Sequence, residues 1–264
     1  MLPVFKLLMG YRGFVLGSVK REFQLKYRNS VLGAAWTVLN PLAMIVVYTV
    51  IFSQVMKARL PGVDNGYAYS IYLCAGVLTW GLFAEIVGRA QNVFLENANL
   101  LKKISFPRMT LPVIVVINAG VNFTIIFGLF LAFLLVFGFW PGWVVLAAIP
   151  VLLIQLLFSI GLGISLGVLN VFFRDVGQFF NVFLQFWFWF TPVVYPSTIL
   201  PERVRPLMEL NPMYAIVQSY QGIFVSGQAP NWGALLYPLV LGVGLSLLGL
   251  RLFRKHVGEM VDEL

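Results

Sequence analysis

Glu85 and Arg89 stand four residues apart inside the apolar run YSIYLCAGVLTWGLFAEIVGRA, residues 69–90. On a helix that spacing puts both side chains on one face, where they can pair. An ionisable pair at membrane depth is a functional candidate by default, because each charge there is costly to keep. The competing reading is a structural pair at the membrane edge. Little else in the chain can do chemistry. His256 is the single histidine and Cys74 the single cysteine. Those counts exclude a His/Cys metal cluster, a histidine-dependent hydrolase within the bilayer and an intrachain disulfide. No GxxxxGK[ST] occurs, so ATP is not bound through a P-loop. The chain is therefore expected to carry no catalytic, metal or cofactor site of its own.

The elements that position the pair are membrane spans. Of the 264 residues, 60% are hydrophobic and 11% charged, and mean hydropathy is +0.89. A soluble domain carries about 25% charged residues, so lipid must solvate most of this surface. Long apolar runs predict an all-α membrane protein with six transmembrane helices, at about 31–56, 69–90, 110–138, 143–170, 177–196 and 232–252. Each holds the roughly 20 residues that cross the hydrocarbon. None alternates as a membrane β-strand does. The opening MLPVFKLLMG lacks the pattern of a cleaved signal peptide.

Basic residues orient the spans. With a cytoplasmic N-terminus, thirteen fall inside: Lys6, Arg12, Lys20, Arg21, Lys26, Arg28, Lys102, Lys103, Arg108, Arg174, Arg251, Arg254 and Lys255. Lys57, Arg59, Arg203 and Arg205 fall outside, with Arg89 at a membrane edge. This asymmetry places both termini in the cytoplasm. It also accounts for the net charge of +8 without a nucleic-acid partner.

Between the spans, 11–28 carries Tyr11, Phe14, Val15, Val19 and Phe23 at helical spacing, with basic residues mostly off that stripe. It reads as an amphipathic helix on the membrane surface; a solvated basic tail is the alternative. Asn40-Pro41 predicts a kink or short break in the first span. The loop 91–109 mixes apolar anchors with Glu96, Lys102, Lys103 and Arg108, and a short helix before Pro107 suits a docking element. Ser159, Gly163 and Gly167 form a small-residue stripe for close helix packing. Span five sets Phe179, Phe183, Phe186 and Phe190 on one aromatic face, which either lines a path or meets lipid. Pro192, Pro196, Pro201, Pro206 and Pro212 then interrupt the chain, and 213–227 is apolar on one side but too short to cross. The stretch 197–227 reads as a re-entrant gate region, against the plainer reading of an amphipathic outer loop.

These segments together resemble one family. KYRNSVLGAAWTVLNPL at 26–42, NANLLKKISFPR at 97–108, VFFRDVGQ at 171–178, TPVVYP at 191–196 and NPM at 211–213 are similar to the membrane subunits of bacterial ABC exporters for lipid-linked polysaccharides, such as O-antigen, capsule and teichoic acid. The resemblance runs the length of the chain. It implies a homodimer in the bacterial cell membrane, served by two copies of a cytoplasmic P-loop ATPase that would carry the ATP and Mg. It implies that Glu96, Asn97, Leu100, Leu101, Lys102 and Lys103 form an ATPase-coupling helix. The path for an undecaprenyl-pyrophosphate-linked polymer would take Phe179, Phe183, Phe186 and Phe190, with Trp36 and Tyr48 as helpers. Pro192, Tyr195, Pro196, Pro212, Tyr214 and Tyr220 would belong to the outer gate. By charge, Lys26, Arg28 and Arg89 would attract the pyrophosphate. An exporter of a drug or small lipid is the nearest alternative. A transferase acting on a lipid-linked sugar is the alternative from another class, and Glu85, Glu202 and Glu209 would be its only candidate carboxylates.

Overall fold

The computed structural model describes residues 10–26, 28, 32–55, 60, 66–103 and 108–263. The side chains of Lys26 and Lys103, and all of Lys57 and Arg59, lie outside the described residues. Among the described residues there is no strand. Helix α1 is Arg12–Lys26, and α2 is Trp36–Tyr48, followed by a π-helical segment at Thr49–Val55. Then come α3 (Ala68–Ala90), α4 (Val93–Glu96), α5 (Ala98–Lys103), α6 (Thr110–Val136), α7 (Ala148–Phe172) and α8 (Asp175–Trp189). Short α9 (Arg205–Glu209), α10 (Pro212–Ser226), α11 (Trp232–His256) and α12 (Glu259–Glu263) complete the chain.

Four helical segments are long and apolar enough to cross a membrane: Ala68–Ala90, Thr110–Val136, Gly142–Phe172 and Trp232–His256. They coincide with expected spans two, three, four and six. Span five comes out shorter. Expected span one is helical without interruption from Gly33 to Val55, apolar over Trp36–Phe52, and contains Pro41 without a break. Expected span five, 177–196, stops at Trp189. At 1.5 Å per residue its 15 residues reach only about 22 Å. The cause is local: Pro192 and Pro196 cannot donate to a helix, and residues 190–195 turn instead.

Helix α3 is the axis of the bundle. Its buried residues include Ile71, Cys74, Ala75, Trp80, Phe83 and Val87, and they join one core with Phe158 of α7 and with Met213, Ile216 and Tyr220 of α10. The small-residue stripe of α7 faces α3: a Cβ on Gly167 would sit 2.6 Å from the Ala90 carbonyl, and one on Gly163 2.7 Å from the Ala90 Cβ. The stripe thus packs within this chain. Helix α10 is set at both ends by its sequence. The Asn211 side chain accepts from the Met213 N–H at 3.0 Å, Pro212 occupies the first turn, and Gly227 closes the helix at φ +61°.

Of the expected N-terminal stripe, four residues face the bundle and Tyr11 is exposed. Phe14, Val15, Val19 and Phe23 are buried or half-buried, and α1 packs on α6. Leu16 and Leu25 on its other faces are exposed, so α1 is apolar on more than one side.

Gly76 marks the tightest joint of α3 with the proline-rich turn. A Cβ there would lie 2.6 Å from the Val193 carbonyl oxygen and 2.7 Å from Gln221 Nε2. Gly76→Ala is expected to destabilise by about 1–3 kcal/mol through overpacking. Gly120→Ala, which meets open space, is expected to leave the thermal midpoint in detergent unchanged. Equal melting of the two variants would contradict this packing.

Candidate functional site

At one end of the bundle gather α1, α4, α5, the start of α6 and the end of α11, with Arg21, Lys102, Arg108, Arg251 and Arg254; we call it the basic end. The sequence pair Glu85 and Arg89 lies there, but Arg89 has two carboxylate partners. It pairs closely with Glu22 of α1 and lies 3.7 Å from Glu85. Asn118 of α6 donates to the second oxygen of Glu22, and Asn122 donates to Glu85 at 3.0 Å. One cluster therefore ties α1, α3 and α6 together. Its charged side chains retain 28 to 43% exposure, so each single link is nearer the ~0–1 kcal/mol of an exposed pair than the ~3–5 kcal/mol of a buried one. Its importance is connectivity. The positive charge of Arg89 is already engaged; of the other basic residues expected to draw a pyrophosphate, Arg28 is exposed.

Glu22, Asn118 and Asn122 were missed in the sequence. The signals were present. Glu22 sits on the α1 stripe one turn beyond Ser18, and Asn118 and Asn122 are four apart in an otherwise apolar span.

The expected coupling stretch forms two short helices joined at Asn97, whose side chain donates to the Val93 carbonyl at 2.8 Å. Its residues divide by direction. Glu96 and Lys102 are exposed, Asn97 and Leu100 are half-buried in a groove beside α1, and Leu101 is 3% exposed. Leu101 packs with Phe94, Leu111, Val171, Phe253 and Met260. It anchors the loop to the body of the chain.

Asn170 holds the loop to the start of α8. It donates to the Gln91 carbonyl at 2.9 Å and to Asn92 Oδ1 at 3.0 Å, and accepts from the Gly177 N–H at 2.9 Å. A Cβ at 177 would lie 2.7 Å from the Asn170 amide, so the glycine of VFFRDVGQ makes room for this clamp.

The opposite, proline end is closed by side chains capping bare carbonyls. Tyr72 Oη lies 3.0 Å from the Pro192 carbonyl and 2.8 Å from that of Tyr195, and Tyr69 donates to the Val194 carbonyl at 2.6 Å. Gln221 reaches Pro192 and Val193, and Asn211 reaches Phe190 and Thr191 while accepting from Trp187 Nε1 at 2.8 Å. Tyr195 donates to the Trp189 carbonyl at 2.6 Å. The TPVVYP and NPM segments are thus one hydrogen-bonded unit. A cleft of about 410 Å³ opens beside it, lined by Tyr72, Pro192, Pro196, Tyr214 and Gln218, with no charged residue among the described residues of its lining. Tyr220 lies buried beneath, its hydroxyl without a partner among the described residues.

The aromatic residues of α8 split into two faces. Phe180 is buried, and Trp187 stands edge-on to Phe83 at 5.1 Å. Phe179, Phe183, Phe186 and Phe190 are 41 to 71% exposed on the surface of the chain. Tyr48 is half-buried at the end of α2, and Trp36 is exposed at its start, on the rim of a separate cleft that contains Glu85. Among the described residues no group of His, Cys, Asp and Glu could hold a metal.

Known proteins resemble this chain along most of its length. The chain is 34% identical over 266 residues to an O-antigen export system permease protein of Myxococcus xanthus, covering all of both chains. It is 30% identical over 236 residues to one of Klebsiella pneumoniae, covering 89% of this chain and 88% of that one. A polysialic acid transport protein of Escherichia coli is 19% identical over 246 residues, covering 91% and 92%. The family model described as ABC-2 type transporter matches residues 15–225, from α1 to the end of α10. The chain belongs to the ABC-2 type transporter family of membrane proteins.

Proposed function

We propose that this chain is the transmembrane subunit of an ATP-driven exporter that carries lipid-linked polysaccharide across the bacterial cell membrane. The observation that carries this reading is the end-to-end likeness to a permease named for O-antigen export. In this reading the basic end faces the cytoplasm with both termini, and six spans cross the membrane. Two copies pair to form the path, and two P-loop ATPase subunits supply ATP and Mg.

The chain's own residues fit these roles. The exposed face of α4 and α5, with Glu96 and Lys102, meets the ATPase, and Asn97 and Leu100 flank the groove that receives it. Motion of that loop passes to the spans through Asn170 and through the cluster of Glu22, Arg89 and Glu85. Lys26 and Arg28 attract the pyrophosphate head. Phe179, Phe183, Phe186 and Phe190, with Tyr48, face the sliding sugar chain, which they grip weakly and without sequence preference. The unit of Pro192, Tyr195, Pro196, Pro212, Tyr214 and Tyr220 gates the far end.

Two experiments test this. Expressed with its genomic neighbours and purified in mild detergent, the chain should bring down a P-loop ATPase in equal amount, and the double charge reversal Glu96→Lys, Lys102→Glu should weaken that association. A chain that purifies alone, with no associated ATP hydrolysis, contradicts the reading. Replacing Phe183, Phe186 and Phe190 together by Ala should cut surface polysaccharide several-fold at unchanged protein level. Unchanged export would assign those rings to lipid.

A further inference from the structure

A cleft of about 400 Å³ lies between α2, α3 and α6, within the size of a small-molecule site of about 300–1,000 Å³. Its two ends differ. Helices α2 and α3 run antiparallel, since the Ser70 hydroxyl donates to the Tyr48 carbonyl at 3.4 Å. Trp36 and Thr37 therefore share the basic end of the cleft with Glu85, while Met44, Val77 and Ile126 line the part nearer the middle of the bundle. The cleft is shaped for an amphiphile, with its polar head at the basic end and its chain along apolar wall.

The charge of the head follows from the lining. Among the described residues Glu85 is the one charged residue that lines the cleft. Its neighbour Arg89 pairs closely with Glu22 and stands 3.7 Å from Glu85. Arg89 is thus shared between two carboxylates, and Glu85 holds the more distant share of it. A carboxylate accepts at about four lone-pair positions, and among the described residues only Asn122 donates to Glu85 within hydrogen-bond distance. Thr37 is 6% exposed and its hydroxyl has no partner among the described residues. A buried polar group without a partner costs about 1–3 kcal/mol, so a polar ligand atom at this end is favoured. Trp36, 40% exposed at the rim, offers an indole face, the best aromatic surface for a cation. A carboxylate, an indole and an unpaired hydroxyl together recognise an ammonium group. An anionic head meets only repulsion from Glu85.

We propose that this cleft binds the primary ammonium head of a membrane aminophospholipid, with Glu85 as its counter-ion, Trp36 over its face and the acyl chain toward Ile126. The bound lipid would brace α2 against α3 and α6 beside the charge cluster, independently of the cargo that the protein carries.

The test is lipid retention by the full chain. The protein is reconstituted in vesicles of equal amounts of phosphatidylethanolamine and phosphatidylglycerol, extracted in mild detergent and examined by native mass spectrometry. The wild-type chain should retain phosphatidylethanolamine about tenfold over phosphatidylglycerol. Glu85→Gln should bring the two to parity, and Trp36→Leu, at an exposed rim position, should lower the preference several-fold while the fold is kept. Equal retention of both lipids by the wild type, or an unchanged preference in folded Glu85→Gln and Trp36→Leu proteins, would overturn the proposal. If Glu85→Gln does not fold, Trp36→Leu alone decides: a kept preference overturns the site and a lost one supports it.

Discussion

A lone charge in an apolar bundle is costly, and the basic end is organised around not leaving one. Arg89 rises from α3 among apolar neighbours and needs a carboxylate. Glu85, one turn earlier, reaches it only at 3.7 Å. The close partner comes from α1 instead, and Asn118 and Asn122 satisfy the oxygens left over. That requirement draws α1 onto α6 and fixes the groove between α1 and the 91–103 helices. Elements that touch the partner ATPase in the proposed function are thus tied to span helices by short polar contacts. Such contacts break or hold, so they suit transmission better than a gradual apolar slide.

The other end obeys a second constraint. Inside a membrane protein every backbone group needs a partner, and two prolines leave carbonyls of 190–195 without one. Tyr69, Tyr72, Asn211 and Gln221 supply the donors. These residues come from α3, the α9–α10 junction and α10, so the turn fixes where three elements meet. Gly76 lacks a side chain because the Val193 carbonyl fills that space.

Much of this was legible in the residues. Four spans follow from apolar length, and the N-terminal stripe from Phe14, Val15 and Val19. The small-residue stripe of α7 predicted close packing, and α3 is the helix it meets. What was not legible depended on tertiary partners. Apolar and aromatic residues continue past Trp189 toward 196, but the helix ends at Trp189 ahead of Pro192. Asn40-Pro41 allowed either a kink or a break, and the helix runs through Pro41 unbroken. Leu101 read as a contact residue alongside Leu100, but only the fold shows that one leucine points inward. Glu22 lay in a basic stretch, where a lone acid looks like surface dilution. Its meaning appears only when Arg89 arrives from sequence 67 positions away.

The central claim is that the link between Glu22 and Arg89 carries motion from the ATPase-facing elements to the spans. Charge exchange tests it most directly. Surface polysaccharide would be measured for Glu22→Arg, for Arg89→Glu and for the two combined, at matched membrane levels. Each single variant should lose most export, because it sets like charges side by side, and the exchanged pair should recover a large part of it. Full export by either single variant would show that the link does not couple the two ends.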